Sequence, residues 1–362
     1  TVVGGATGHV DTFARDRLPA VDALPECLFE LPELQFPPRL NCATELLDRW
    51  VAPVEGGGEG ARLAVQGHGG VRWSYADLRA RANRIARVLV EDMGLVPGNR
   101  VLLRGANSPM LAACWFAVVK AGGIVVGTMP LLRARELAGI ALKARVSHAL
   151  VDARLAEELE LALPQCPALK QVRRFGTGEA GSLETLAAAK PADFDNVDTA
   201  ADDVCLMAFT SGTTGVPKAA MHFHRDVMAA CACWPPHVLR ATRDDVFIGS
   251  PPLAFTFGLG GLLAFPLAIG ASTVLIERAS PEALLPAIAQ FKATVCVTAP
   301  TSYRAMAAQL SAQVSGHDLS SLRKCVSAGE ALPAATRKRW KDATGIEIID
   351  GIGSTELFHI FI

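Results

Sequence analysis

Charge of neither sign is in excess, because 35 basic residues face 36 acidic ones for a net charge of −1. Nucleic acid and anionic membrane surfaces select a concentrated basic face, so neither is expected as a partner, and a small molecule fits better. Nine cysteines are present, none in Cys-x-x-Cys spacing. Cys114, Cys205 and Cys296 sit among apolar neighbours, the pattern of reduced thiols in a cytoplasm. His222, His224, Cys231 and Cys233 come nearest to a metal group, and their spacing is not that of a zinc finger. There is no Gly-x-Ser-x-Gly elbow and no His-Glu-x-x-His, so hydrolases built on those motifs receive no support. The N-terminus, Thr1-Val2-Val3-Gly4-Gly5, shows neither a basic region nor a long apolar one, and no secretory signal is read there. Charge is missing altogether from Val246 to Ile276, a run long enough to cross a bilayer. Pro251, Pro252, Pro266 and the glycines at 258, 260, 261 and 270 break it into a turn, a short helix and a strand, so a buried α/β core is expected instead.

What the chain does have is 362 residues, 50% of them hydrophobic, enough for two domains or one large one. Its most distinctive stretch is Phe209-Thr210-Ser211-Gly212-Thr213-Thr214-Gly215-Val216-Pro217-Lys218. Two glycines allow tight turning and close approach of backbone N–H groups to an anion, hydroxyl side chains add donors, and Lys218 brings a compact positive charge. A polyphosphate suits that set. A Walker A loop does not, since Pro217 precedes Lys218 and Ala219 follows it. A plain Gly/Ser/Thr turn between strand and helix is the structural alternative.

Strand and helix alternate through most of the chain. Ser74 and Asp77 form a capping-box pattern ahead of a helix with Leu78, Ala82, Ile85 and Leu89 on one face and a stop at Gly94. Strands are expected at Arg100–Arg104, Gly123–Thr128, Ser147–Val151, Val204–Phe209, Asp245–Gly249, Ser272–Ile276, Thr294–Thr298, Lys324–Ser327 and Glu347–Ile349, with helices between them. The fold class is α/β, two doubly wound, mostly parallel sheets flanked by helices. Three segments are expected: an irregular N-terminal wrap over 1–45, a first α/β subdomain over 46–200, and a second over 201–362, the halves separated by the acidic Asp193–Asp203. Gly176-Thr177-Gly178-Glu179-Ala180-Gly181 matches G-x-G-x-x-G, but the charged run before it is too polar for a central strand, and a surface loop is expected.

The stretch 209–218 resembles the phosphate loop of the adenylate-forming superfamily, which includes acyl- and aryl-CoA ligases, luciferases and peptide-synthetase adenylation domains. Asp350-Gly351-Ile352-Gly353-Ser354-Thr355-Glu356 is similar to that family's Gly-x-Thr-Glu turn, and Ser327-Ala328-Gly329-Glu330-Ala331-Leu332-Pro333 to its adenine-side loop. The three come in the family's order. Ser74-Tyr75, Pro97-Gly98-Asn99-Arg100-Val101 and Lys120-Ala121-Gly122 also look like its first subdomain.

The resemblance implies that Thr210, Ser211, Gly212, Thr213, Thr214, Gly215 and Lys218 hold the β- and γ-phosphates of ATP, that Thr355 contacts the α-phosphate, and that Glu356 holds Mg²⁺. It places adenine between Gly329-Glu330 and Gly351-Ile352, with Asp350 near the exocyclic amine. Glu330 capping the helix from Pro333 and Asp350 capping its own turn are the structural alternatives. Ala254-Phe255-Thr256-Phe257-Gly258-Leu259-Gly260 and Leu357-Phe358-His359-Ile360-Phe361 are similar to benzoate and 2-aminobenzoate ligases. Thr256, Phe257, Gly258, Gly353 and Ile360 would then line a flat slot for an aromatic acid. Thr355, Glu356 and Lys218 are the catalytic candidates and coenzyme A the acceptor. The family's Tyr-x-x-Thr-Gly-Asp segment, hinge and mobile C-terminal domain are not found, so the chain reads as a large N-terminal part that binds nucleotide and acid weakly and turns over poorly. An exposed Phe- and Ile-lined surface would favour a homodimer. Loading of a carrier protein, and a catalytically silent nucleotide-binding regulator, stay open as alternatives.

Overall fold

The computed structural model describes residues 6–24, 26, 28–51, 59–210, 217–312 and 316–362. Chain order gives β1 (Leu63–Gly67) and β2 (Arg72–Ser74), then β3 (Arg100–Arg104), β4 (Ile124–Thr128), β5 (His148–Asp152) and β6 (Gln171–Phe175). β7 (Val204–Thr210) and β8 (Lys218–Phe223) follow, and after them β9 (Val246–Gly249), β10 (Ser272–Leu275), β11 (Val295–Thr298), β12 (Lys324–Ser327) and β13 (Ile348–Asp350). Two sheets result, one ordered β6-β5-β3-β4-β7-β8 and the other β13-β12-β11-β9-β10-β1-β2. Each is parallel except for one antiparallel edge strand, β8 on β7 and β2 on β1.

The sheets do not divide where the expected boundary near residue 200 would put them. β1 and β2 join strands from the second half of the chain, with Val65 opposite Thr273. β7 and β8 join the first-half strands, with Val125 opposite Leu206. Pairing partners are chosen by burial and register across the whole chain, and an acidic connector does not mark them.

Helices cover both faces of both sheets. Val101 and Leu103 of β3 face the helices Tyr75–Arg87 and Pro109–Lys120, which also pack against β1 and the apolar run around Leu263 and Phe265. Leu102, one residue out of phase, faces the helices Ala134–Lys143 and Ala156–Ala162. Beyond the larger sheet, Leu284, Tyr303 and Trp340 belong to three helices that bury Ile248, Cys296 and Cys325. The strands are therefore apolar on both faces, as buried parallel strands must be. The charge-free run from 246 to 276 is β9, a helical stretch over Thr256–Ala268, and β10. Among the described residues no helix is long and apolar enough to cross a membrane.

The N-terminal segment is irregular, with short helical turns at Arg15–Arg17 and Pro32–Leu34. It docks through the amides of Val10 and Asp11 on the Pro97 carbonyl, both at 2.9 Å, and through Phe13, over which Arg100 lies at 4.5 Å. Leu31 is exposed. Lys120 is buried and donates to both carboxylate oxygens of Asp48, at 2.5 and 2.6 Å, and to Asn196 at 3.0 Å.

Candidate functional site

β7 ends at Thr210, which pairs with Lys218 at the start of β8. Residues 211–216 lie outside the described residues, and with them the expected phosphate ligands Ser211, Gly212, Thr213, Thr214 and Gly215. What is described is the hairpin that carries them. Phe209, Ala219, Met221 and Phe223 pack against the outer core of the six-stranded sheet. Strand alternation then turns Thr210, Lys218, Ala220 and His222 to the opposite face. Lys218 is exposed and Thr210 half-buried at the carboxyl end of β7, where open parallel sheets bind ligands. The strand β8 was not expected from the sequence, which pointed to the helix beginning near Arg225 but to no strand between it and the loop.

The Gly-x-Thr-Glu segment leaves the edge strand β13 as a tight ribbon. The Ile352 carbonyl accepts from Phe361 N–H at 3.0 Å, the Ile362 carbonyl accepts from Ile352 N–H at 3.0 Å, and Gly353 bridges Ile360. A Cβ on Gly351 would lie 2.4 Å from Ile360 Cγ2, and one on Gly353 would lie 2.7 Å from the His359 carbonyl oxygen, so only glycine fits at either position. At the tip Thr355 is half-buried, Glu356 is exposed, and Phe358 is buried in a left-handed conformation with φ +67°. The Thr355 carbonyl accepts two hydrogen bonds, from Phe358 N–H at 3.2 Å and from His222 Nε2 at 2.7 Å. The β7–β8 hairpin and the Thr355–Glu356 turn, each from a different sheet, thus meet.

Around the turn, Ile352 is 62% exposed, an unusual setting for isoleucine. Asp350 lies 3.9 Å from Arg337. Gly329 is left-handed at φ +93°, and the Glu330 carboxylate accepts from Thr301 N–H at 3.2 Å. Glu330 therefore caps the helix Pro300–Ser311, not the helix Ala334–Thr344 that the sequence pointed to.

Behind the turn lies an aromatic group. Thr256 is buried, and Gly258 sits so close to the preceding turn that a Cβ would fall 2.1 Å from the Pro252 carbonyl oxygen. The Phe257 carbonyl accepts from His359 Nε2 at 3.2 Å, and the two rings are 5.3 Å apart. Phe265 and Trp234 enclose the imidazole at 4.4 and 5.5 Å. Burial pushes His359 down to about 3, so it is neutral near pH 7, and among the described residues its Nδ1 has no hydrogen-bond partner. Of the residues expected to line a slot, Phe257 lies against His359, whose backbone adjoins Gly353, and Gly353 bridges Ile360. Phe255 and Phe361 are 42% and 48% exposed.

Two other candidates resolve. His224, read with Cys231 and Cys233, lies instead with Cys42 and Cys205, all three buried and with ligand atoms within 4.8 Å. Its Nδ1 accepts from Cys42 N–H at 3.1 Å, which commits the lone pair a cation would need. Gly176, the first glycine of the G-x-G-x-x-G match, follows the edge strand β6, and its N–H is taken by the Glu184 carboxylate at 2.5 Å, where a pyrophosphate would need to sit. A cavity of about 180 Å³ beside it, lined by Trp73, Met110, Phe175 and Leu275, shares no residue with the signatures.

The AMP-binding enzyme family matches residues 55–362. Benzoate–CoA ligase of Thauera aromatica is 31% identical over 332 residues, which are 91% of this chain and 62% of that protein. Anthranilate–CoA ligase of Pseudomonas aeruginosa is 33% identical over 290 residues, 78% of this chain and 52% of that protein. Among solved structures, the anthranilate CoA ligase AuaEII in complex with anthranoyl-AMP aligns with a TM-score of 0.84 at 33% identity, covering 92% of this chain and 63% of that one. The chain thus spans less than two thirds of the length of these relatives. Two parallel-dominant sheets, matched by the family from residue 55 onward, make this chain a member of the AMP-binding, adenylate-forming enzyme family.

Proposed function

We propose that the chain is the nucleotide- and acid-binding part of an ATP-dependent ligase that activates an aromatic carboxylic acid of the benzoate or 2-aminobenzoate type and passes it to coenzyme A. The observation that carries this is the chain of contacts that ties the Lys218-bearing strand to the Thr355–Glu356 turn through His222, and the ribbon of that turn to Phe257 through His359. Lys218 and the loop before it hold the terminal phosphates, Thr355 the α-phosphate, and Ile352 and Gly329 flank the adenine, with Asp350 at its edge. Glu356, an exposed carboxylate, offers the hard oxygen donor that Mg²⁺ prefers. When bound, Mg²⁺ neutralises phosphate charge. The acid needs no general base, because a carboxylate is ionised at neutral pH and attacks the α-phosphorus as it stands, so positioning and charge neutralisation are the protein's tasks. The Phe257 ring and the aliphatic Ile360 side chain, with the glycine backbone at 353, hold a flat acid, and the apolar surround excludes water from the reacting carboxylate. Coenzyme A as acceptor rests on the CoA ligases among the relatives. The free cysteines fit a cytoplasmic setting.

The test is thermal stabilisation of the chain by benzoate, 2-aminobenzoate, 4-hydroxybenzoate and a medium-chain fatty acid, each with and without ATP and Mg²⁺. A ligand that binds only the native state raises its stability. A selective rise with one aromatic acid is expected, enlarged by ATP. An equal or greater rise with the fatty acid overturns the aromatic assignment.

A further inference from the structure

We propose that His222 is a positioning residue that fixes the Thr355–Glu356 turn against the phosphate hairpin and so sets the spacing between the two halves of the nucleotide site. The identity of the ligand rests on the ligase reading above; the tether itself rests on geometry. β8 closes one edge of the six-stranded sheet, while the turn leaves β13 at the edge of the seven-stranded sheet, and among the described residues no strand pairing joins the two. His222 spans that gap. It is 3% exposed, with Nε2 at 2.7 Å from the Thr355 carbonyl oxygen. A carbonyl only accepts, so the ring proton sits on Nε2 and His222 is the donor. Burial keeps the imidazole below its ordinary basicity, against the opposing pull of Asp226 and Glu356 nearby.

The bonded carbonyl belongs to the peptide that joins Thr355 to Glu356, so holding it orients both residues at once. The same carbonyl accepts from Phe358 N–H at 3.2 Å, and the buried Phe358 ring stands edge-on to the imidazole at 5.5 Å. A bulky residue at φ +67° persists only where its surroundings hold it, and His222 supplies both the hydrogen-bonded anchor and the wall. In the other direction, His222 shares a face of β8 with Lys218, about 13 Å of strand away at about 3.3 Å per residue. One strand and one hydrogen bond therefore connect the lysine to the threonine.

The experiment compares His222→Ala and His222→Gln with the parent chain. Two readouts are used: hydrogen exchange of the amides of residues 353–358 without ligand, and calorimetric affinity for ATP with Mg²⁺. Gln places an amide N–H where Nε2–H stood, so it restores the bond without the ring. Expected are faster exchange in the turn and about tenfold weaker ATP binding in His222→Ala, from loss of one buried hydrogen bond, with His222→Gln close to the parent in both. Unchanged exchange and affinity in His222→Ala overturn the proposal. So does a His222→Gln protein as impaired as His222→Ala, which would assign the effect to ring packing alone. If the parent chain fails to bind ATP, the ligase reading fails, while the exchange measurement still decides the tether.

Discussion

Phe257 offers its carbonyl to His359 and, in the proposed reading, its ring to the acid, and only the ring is lost on truncation. Phe257→Ala should weaken the aromatic acid by about tenfold or more while leaving ATP within about twofold, since a buried aromatic contact is worth one to a few kcal/mol. Equal losses for both ligands in calorimetry would show the slot to be misassigned. Glu356→Ala should do the reverse, removing the Mg²⁺-dependent part of ATP binding and sparing the acid. The buried histidines make a separate prediction. Burial pushes His359 down to about 3 and His9 to about 4, so the folded protein leaves them neutral where the unfolded chain, titrating near 6.5, takes up protons. Stability rises with pH wherever the unfolded state binds more protons, so these two groups destabilise the fold progressively from about pH 6.5 down to about 4. Each contributes up to about 1.4 kcal/mol per pH unit in that window. Urea midpoints measured across it should fall with acid, and His359→Phe should flatten the slope by about one proton's worth. An unchanged slope would mean that His359 is protonated in the native state.

At the scale of the elements, the parts readable in the sequence are those decided within a few residues. Ser74 Oγ accepts from Asp77 N–H at 3.1 Å while the Asp77 carboxylate accepts from Ser74 N–H at 3.0 Å, the capping box the sequence pointed to. Ser74→Ala should lower stability by about 1 kcal/mol, read as a drop in urea midpoint, with no change in ligand affinity. Loss of ATP binding with the cap would show that this helix reaches the site. Ser108 and Gly345 are legible for the same local reason, one capping the helix Pro109–Lys120 and the other closing Ala334–Thr344 in a left-handed conformation. β8 was not legible. Lys-Ala-Ala-Met-His-Phe has no β-branched residue, and its strand character comes wholly from pairing with β7, including Thr210 opposite Lys218. For the site, the glycines and Thr355–Glu356 could be read because their spacing is local. The partnership of His222 with Thr355 could not, because 133 residues and two different sheets separate them.

The molecule as a whole is interlaced at a point where its sequence looks divided. β1 and β2 complete the seven-stranded sheet, β7 and β8 the six-stranded one, and the central helices bury residues from both halves, Leu78 and Phe116 in one cluster with Leu263 and Val297. A fragment of residues 201–362 would keep β9–β13 but lose the β1 partner of β10, exposing an apolar parallel edge to other chains. It would keep the β7–β8 hairpin without β4, and a two-stranded hairpin with no sheet behind it is marginal in water. The fragment 1–200 would in turn present β4 as an open edge and leave β1–β2 with no partner. Expressed singly, both are expected to aggregate or to unfold without a cooperative transition, whereas the 362-residue chain should melt in one transition in circular dichroism and calorimetry. Co-expression should recover a soluble pair, because the missing strands are supplied in trans. A monomeric 201–362 fragment with a cooperative melt would restore the boundary near residue 200 as a true domain limit, and would mean that the strand exchange between the sheets adds little to the stability of either.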